Sequence, residues 1–239
     1  MNLRASSRGD RPLLIGHKGA AALEPENTLA SLSRAVALGC DLVEFDVLPL
    51  DGRLVLGHSP EELPDELASL DDALALLAAS GVGAQVDLKW HGYEAETVDA
   101  IARHGLVDQV LVSTCHARSL RAIAALEPRV MRGITYPYDR SGVSQRPALA
   151  PLTRGALVSL RALLPLRIGT LLAGAAASAA VLHHAVVSPG AVAKAHARSA
   201  AVLAWTVDEL CVLERVLAAG VDGVITNDPG LVSQYTASP

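Results

Sequence analysis

Residues 42–47 read Leu-Val-Glu-Phe-Asp-Val, and this hexapeptide decides how the rest of the chain is interpreted. Apolar and acidic residues alternate in it, and successive side chains of a β-strand point to opposite faces. Glu44 and Asp46 therefore share one face of a predicted strand, while the three apolar residues beside them share the other. In a barrel of parallel strands, the apolar face would contact the outer helices and the carboxylates would face the lumen. The alternative for the two acids is a solvated strand edge.

A second predicted strand repeats this pattern at residues 86–89, which read Val-Asp-Leu-Lys. The alternation directs Asp87 and Lys89 toward one side. Neighbouring carboxylates repel one another unless a cation lies between them. Three carboxylates offer oxygen ligands that suit Mg2+ or Ca2+ better than zinc. We therefore predict that Glu44, Asp46 and Asp87 bind a divalent cation, and an ordinary ion pair is the alternative for Asp87 and Lys89.

Short apolar runs alternate with longer helical patterns along the whole chain. The predicted strands are Leu13–Gly16, Leu42–Val47, Ala84–Lys89, Val110–Thr114, Val130–Ile134, Ala185–Ser188, Val202–Thr206 and Gly223–Thr226. The predicted helices are Thr28–Leu38, Leu70–Ala79, Glu94–Arg103, Ala117–Leu126, Ala191–Arg198 and Asp208–Ala218. Eight strands that alternate with helices favour an α/β fold of the (β/α)8 TIM barrel type. An open, doubly wound sheet is the competing fold.

The chain length of 239 residues suits a single barrel domain. We predict an N-terminal extension at residues 1–11 and a barrel domain at residues 12–236, with a short insertion after strand 2. Residues 136–151 are rich in Pro, Arg and Ser and are predicted to form a loop. Residues 152–182 could hold an extra strand or a helical excursion. Within them, residues 168–182 lack charge and are predicted to be a buried helix rather than a stable membrane span.

Composition excludes some partners. The net charge of -5 argues against a protein that binds nucleic acid, since such a protein would present a basic face. Cys40, Cys115 and Cys211 lie far apart, which favours reduced thiols and a cytoplasmic location. Aromatic residues make up only 3% of the chain, so the core must consist of Ala, Leu and Val. The sequence makes no prediction about the oligomeric state.

Two histidines flank the predicted acidic strand. His17 ends the first strand, and His58 follows the run Leu54-Val55-Leu56-Gly57. Cleavage of a phosphodiester needs a base for the nucleophile and an acid for the leaving alkoxide, and histidine performs either task near neutral pH. Lys18 and Lys89 would offset charge on the phosphoryl oxygens. These residues indicate a catalytic site in which His17 and His58 act on a phosphate ester.

In combination, these motifs resemble the glycerophosphodiester phosphodiesterase family. The residues that carry the resemblance are His17-Lys18-Gly19, Glu26-Asn27-Thr28, Glu44-Phe45-Asp46, Asp51-Gly52, His58-Ser59, Asp87-Leu88-Lys89, Trp205-Thr206-Val207-Asp208 and the segment 222–229. The resemblance implies a TIM barrel that hydrolyses glycerophosphodiesters to glycerol 3-phosphate and an alcohol. It implies an acid and a base at His17 and His58, a divalent cation on the three carboxylates, and phosphate contacts from Lys18 and Lys89. Trp205 is a further candidate for contact with the substrate.

The chain departs from the family pattern at Lys18, Ser59 and Asp87, where arginine, aspartate and glutamate are usual. Lysine supplies a point charge in place of a bidentate guanidinium. Two other functions are alternatives: the pair of Asp87 and Lys89 and the short insertion favour the first, and Lys18 and Ser59 support the second. One is a phospholipase D-like phosphodiesterase that acts on lysolipids or unusual diesters, and the other is a catalytically silent protein that binds a phosphate ligand.

Overall fold

The computed structural model describes residues 2–9, 11–61, 63, 67–138 and 150–232. Its strands are β1 (Leu13–Gly16), β2 (Leu42–Leu50), β3 (Arg53–Leu56), β4 (Gly83–Leu88), β5 (Val110–Thr114), β6 (Met131–Tyr136), β7 (Ala179–His183), β8 (Ala201–Trp205) and β9 (Gly223–Thr226). All except β3 run parallel, and β1 pairs with both β9 and β2. The eight parallel strands therefore close into a barrel, and the predicted (β/α)8 TIM barrel is confirmed.

The helices are α1 (Leu29–Ala37), α2 (Leu70–Ser80), α3 (Glu94–Arg103), α4 (Ala117–Leu126), α5 (Ala150–Ala175), α6 (Pro189–His196) and α7 (Leu210–Ala218). Several begin at a residue whose side chain satisfies a free backbone amide. The Thr28 hydroxyl accepts from the Ser31 amide at the start of α1. Ser69 and Asp72 form a reciprocal capping box at the start of α2.

The insertion after strand 2 begins as a β-hairpin. β3 pairs antiparallel with the last four residues of β2, and Asp51 and Gly52 form the turn with positive φ angles of 48° and 76°. β3 ends at Leu56, two residues before His58. The hairpin therefore folds His58 back over the end of the strand that carries Glu44 and Asp46.

The prediction for residues 168–188 was partly wrong. The barrel strand is Ala179–His183, and residues 184–186 form a 3-10 turn where a strand was predicted. The helix ends at Ala175, so the predicted buried helix does not reach residue 182. Alanine-rich β7 has little strand propensity of its own, and its pairing with β6 and β8 holds it in the barrel. The predicted loop at residues 136–151 lies mostly outside the described residues, although Tyr136 itself belongs to β6.

Apolar side chains pack on both the outer and the inner face of the barrel strands. The outward side chains of the strands, such as Val43 and Phe45, pack against the helices in one large cluster. A second and smaller cluster of aliphatic residues fills the lower lumen, among them Ile15, Leu42 and Leu203. Because the lower lumen is filled, the polar side chains of the lumen lie at its upper end, where the strands have their carboxyl ends.

The N-terminal residues cover the lower end of the barrel. Leu3 belongs to the apolar cluster inside the lumen. Asp222, which is buried, accepts hydrogen bonds from Arg4 Nε at 3.1 Å and from the Ala5 amide at 2.9 Å. The same carboxylate contacts His196 Nε2 at 2.8 Å. Asp222 therefore ties the N-terminal segment to the strands and helices around it.

Candidate active site

All eight predicted site residues line one cavity at the carboxyl ends of the strands. The cavity has a volume of about 180 Å³. Its lining includes the predicted residues His17, Lys18, Glu44, Asp46, His58, Asp87, Lys89 and Trp205, together with Gln85, Thr135, Val181 and Ile225. Adjacent parallel strands end at the same edge of a barrel, so residues distant in sequence meet there.

The segment after β1 needs an unusual backbone. Lys18 has a φ of +49°, a left-handed conformation that is uncommon outside glycine. This conformation directs the Lys18 amide to Glu44 Oε2 at 2.8 Å. A side chain at Gly19, where φ is +87°, would lie 2.7 Å from the backbone nitrogen of Leu32. Glycine is therefore required where this segment packs against α1, and the strained backbone orients Glu44.

Glu44, Asp46 and Asp87 form the acidic cluster of the site. Each offers one carboxylate oxygen, and these oxygens lie within 4.8 Å of one another. All three residues are buried. Asp46 is opposite Asp87 in the register between β2 and β4. The three oxygen donors could hold a divalent metal ion, and their chemistry fits a hard cation such as Mg2+ or Ca2+.

Lys89 provides positive charge inside this cluster. Its Nζ lies 2.6 Å from Asp46 Oδ1 and 2.8 Å from Asp87 Oδ2. Lys18 Nζ is 3.9 Å from Asp46 Oδ2 and forms a closer pair with Glu26 at 2.8 Å. Two lysines therefore reach the carboxylates from different sides of the cavity.

The surroundings of Glu44 and Asp46 shift the pKa values of these two acids in opposite directions. Burial raises the pKa of Glu44 well above its usual value, and the negative charges of Asp46 and Asp87 raise it further. Burial also opposes ionisation of Asp46. Three contributions outweigh it and hold the pKa of Asp46 well below its usual value: the charge of Lys89, the hydrogen bond from His58 and the charge of Lys18. Burial disfavours the charged form of Lys89, but Asp46, Asp87 and Glu44 raise its pKa well above the usual value.

A chain of hydrogen bonds orients His17. Its Nδ1 lies 2.7 Å from Asn227 Oδ1, while Asn227 Nδ2 donates to Asp208 Oδ2 at 2.7 Å. Because the Asn227 amide donates to Asp208, its oxygen faces His17 and accepts the Nδ1 proton. His17 Nε2 then carries the lone pair and lies 4.0 Å from Glu44 Oε2. Burial lowers the pKa of His17, despite partial compensation by Asp46 and by the hydrogen bond to Asn227.

His58 approaches the cluster from the hairpin. Its Nδ1 lies 3.2 Å from Asp46 Oδ2. The same Oδ2 accepts from Asn27 Nδ2 at 3.1 Å. In turn, Asn27 Oδ1 accepts from the backbone N–H of Asp46 at 3.0 Å. Asp46 thus connects His58, Asn27 and Lys89 in one network. The contact to Asp46 leaves Nε2 of His58 available to a substrate.

Sequence reasoning missed several residues that support this network. Ser113 on β5 donates to Asp87 Oδ1 at 2.6 Å, and Gln85 Nε2 donates to Ser113 Oγ at 3.1 Å. Strand alternation could have identified Gln85, which precedes Asp87 by two positions, whereas Ser113 lies opposite Asp87 only through the register between β4 and β5. Asn27 and Asn227 were visible only as parts of motifs, and their contacts depend on the closure of the barrel.

Trp205 supplies an apolar wall. Its indole N–H donates to the carbonyl oxygen of Val181 at 3.2 Å, so the ring offers its surface rather than a free donor. His183 meets it edge-on, with ring centroids 5.2 Å apart. Polar groups at the ends of β1, β2 and β4 therefore share the cavity with apolar groups from β7, β8 and β9.

The fold and the cavity define a barrel protein with carboxylates, ammonium groups and imidazoles at its catalytic end. The profile of the glycerophosphoryl diester phosphodiesterase family matches residues 17–73 and 81–231. The chain is similar to a glycerophosphodiester phosphodiesterase of Caldanaerobacter subterraneus, with 24% identity over 92% of this chain and 95% of that protein.

Solved structures show the same fold. A phosphodiesterase from Oleispira antarctica, in complex with the product sn-glycerol-3-phosphate, superposes with a TM-score of 0.75 at 22% identity and covers 97% of this chain and 99% of its own. A glycerophosphodiester phosphodiesterase from Agrobacterium tumefaciens gives a TM-score of 0.70 at 18% identity, over 94% of this chain and 100% of its own. The chain belongs to the glycerophosphoryl diester phosphodiesterase family, a family of phosphoric diester hydrolases.

Proposed function

We propose that the protein hydrolyses glycerophosphodiesters to glycerol 3-phosphate and an alcohol, with His17 and His58 as base and acid and with a bound divalent cation. The observation that carries the proposal is the convergence of both imidazoles, three carboxylates and two lysines on one cavity. A phosphodiester carries one negative charge, and Lys18 and Lys89 offer it positive groups. The product complex of the Oleispira protein supports a ligand of this chemical class.

We assign the base to His17. Asn227 holds the proton on Nδ1, so Nε2 is the basic atom, and burial keeps the ring neutral to lower pH than an exposed histidine. Nε2 accepts the proton of the attacking hydroxyl, which belongs either to water or to the glycerol of the substrate. Attack by the glycerol hydroxyl gives a cyclic phosphate and the alcohol, and water then opens the cyclic ester.

We assign the acid to His58. Asp46 holds its Nδ1 side, and Nε2 donates a proton to the leaving alkoxide as the phosphorus–oxygen bond breaks. Glu44, Asp46 and Asp87 would hold Mg2+ or Ca2+. When bound, such a cation withdraws electron density from the phosphoryl group and offsets its negative charge.

The experiment compares two substrates with two variants. Glycerophosphocholine has a poor leaving group that needs an acid, whereas a p-nitrophenyl glycerophosphodiester has a good one that does not. His58→Ala is expected to lose most turnover on glycerophosphocholine and little on the p-nitrophenyl ester. His17→Ala is expected to lose turnover on both. Equal losses on both substrates for both variants would refute the assignment, and undiminished turnover with a chelator would refute the need for a cation.

A second candidate function is cleavage of a lysophospholipid headgroup. The apolar wall of Val181 and Trp205 favours it, because it could contact an acyl or alkyl group beside the phosphate. Phosphorus NMR of the products from lysophosphatidylcholine and glycerophosphocholine would distinguish the two substrates and detect a cyclic phosphate. Binding of glycerol 3-phosphate without turnover of any diester would contradict both and favour a silent binding protein.

A cytoplasmic location is part of the proposal. Cys40, Cys115 and Cys211 are free thiols, which supports a reducing compartment. Cell fractionation followed by immunodetection would test it, and recovery of the protein from an extracytoplasmic fraction would contradict it.

A further inference from the structure

Helix α5 is longer than its place in the barrel requires. It spans 26 residues, which corresponds to about 39 Å at 1.5 Å per residue. The strand that follows it, β7, has only five residues. Among residues 152–175 of α5, the buried side chains are Leu164, Ile168, Leu172 and Ala175, and all lie in the second half of the helix. In the first half, Leu157 and Leu160 are only partly buried against the core, so this half covers the barrel less completely.

The contacts of α5 place this first half on the side of the barrel mouth. The Arg161 guanidinium donates to the carbonyl oxygen of Val187, which follows the carboxyl end of β7. Leu164 and Arg167 line a depression together with Tyr136, the last residue of β6. Arg161 is therefore level with the loops around the cavity, and residues 152–160 extend beyond that level because α5 runs opposite to the strands.

The outward face of α5 carries exposed apolar side chains. Leu152 is 70% exposed, Val158 is 67% exposed and Leu166 is 80% exposed. At 100° per residue, Leu152, Leu163 and Leu166 fall on the side opposite to buried Leu164 and Ile168. Residues 152–175 are long and apolar enough to cross a membrane by composition. A crossing would require α5 to leave the barrel that buries its second half.

The charge of α5 indicates what the apolar face meets. Residues 150–175 contain Arg154, Arg161 and Arg167 but no Asp or Glu, in a chain whose net charge is -5. Arg161 and Arg215 donate to the carbonyl oxygens of Val187 and His184, so the exposed Arg154 and Arg167 are the guanidinium groups of this region that can meet a surface. Apolar side chains flanked by arginine complement anionic phospholipid, whose headgroups attract cations at the surface. A second copy of this helix would instead bring like charges together.

We propose that the apolar face of α5, formed by Leu152, Leu163 and Leu166, binds the surface of an anionic phospholipid bilayer. The helix begins at the mouth side of the barrel, so this contact holds the active-site cavity next to the membrane. The protein binds peripherally, since the second half of α5 stays packed on the barrel. Lipid-derived diesters that leave the bilayer would then meet the cavity at a short distance.

Vesicle sedimentation with the full chain tests this binding separately from catalysis. We expect the protein to sediment with vesicles of equimolar phosphatidylglycerol and phosphatidylcholine, and about tenfold less with phosphatidylcholine alone. Leu163→Gln combined with Leu166→Gln should reduce sedimentation by about tenfold, because the apolar contact is lost. Glutamine retains helix propensity, so the variant should fold, and its thermal unfolding should match that of the parent.

The matched control is Leu126→Gln, which changes an exposed leucine at the end of α4. This control should sediment like the parent, and turnover of soluble glycerophosphocholine should be equal in all three proteins. Absence of sedimentation with anionic vesicles, or unreduced sedimentation of the double variant, would overturn the proposal. A dimer that light scattering detects in the parent but not in the double variant, without vesicle binding, would assign the face to self-association instead.

Discussion

Replacement of Lys89 by methionine tests the electrostatic account of the site most directly. Lys89 Nζ lies between Asp46 and Asp87, at 2.6 and 2.8 Å from their oxygens. Methionine retains most of the apolar stem but removes the ammonium group. Three buried carboxylates then face one another within 4.8 Å without this internal cation.

The size of the effect follows from these contacts. Removal of one partner from a buried ion pair costs about 3–5 kcal/mol of unfolding free energy. Burial already raises the pKa of Glu44, so this carboxyl can take up a proton and relieve part of the repulsion. We therefore expect the lower value, about 3 kcal/mol near pH 8. A divalent cation at 100 times its dissociation constant would return about 2.7 kcal/mol.

The pH dependence of the loss has a definite sign. Burial and the neighbouring charges raise the pKa of Glu44 in the folded state, and the loss of Lys89 is expected to raise it further. The folded protein then binds more protons as the pH falls, so its stability relative to the parent recovers toward acid pH. The deficit is expected in full at alkaline pH and is expected to shrink below about pH 6.

Urea denaturation measures this effect in chelator, in CaCl2 and in MgCl2, at pH 8 and at pH 5. The cation should stabilise Lys89→Met more than the parent, in which Lys89 already supplies positive charge. Lys194→Met, which changes an exposed lysine of α6, controls for the substitution itself. The reasoning is refuted if Lys89→Met is as stable as the parent in chelator at pH 8. A deficit that neither a cation nor acid reduces would indicate lost packing instead of charge repulsion.

Three further results are expected. Asn227→Ala should lower kcat on glycerophosphocholine by about tenfold or more, because His17 loses the acceptor that fixes its tautomer; an unchanged kcat would contradict this role. The acid limb of the pH profile of kcat/KM should inflect below the usual histidine value of about 6.5, because burial lowers the pKa of the base. An inflection at or above that value would argue against His17 as the base. Asp222→Ala should lower the unfolding free energy in urea by about 3 kcal/mol, because Arg4 and the Ala5 amide lose their buried acceptor; an unchanged urea midpoint would contradict this.

The sequence predicted the barrel and the composition of the cavity because both depend on alternation along strands. Glu44 and Asp46 are two residues apart, as are Asp87 and Lys89, and this spacing alone places each pair on one face. Phe45 packs among the helices, as the alternation requires. Such local patterns also located most strands to within two residues.

The prediction failed where local pattern and tertiary context disagree. Ala179–His183 is a strand although alanine favours helix, because β6 and β8 offer hydrogen-bonding partners on both sides. The helix α7 begins at Leu210 rather than at residue 208. Asp208 accepts from the Asn227 amide at 2.8 Å instead of starting the helix. Neither outcome can be inferred from residues near it in sequence.

The register between β2 and β4 brings the two predicted pairs of site residues into contact with each other. Alternation establishes that Asp46 and Asp87 face the lumen, but the pairing of β2 with β4 sets them directly opposite each other. Like charges opposite each other on neighbouring strands destabilise a sheet. The same register brings Lys89, two residues beyond Asp87, within 2.6 Å of Asp46. A shift of β4 by two residues would keep every side chain on its face but would move Asp87 away from Asp46. The acidic cluster and the position of Lys89 therefore depend on this one register between β2 and β4. That register brings the negative charges of the carboxylates together, and it also brings the ammonium group that offsets them.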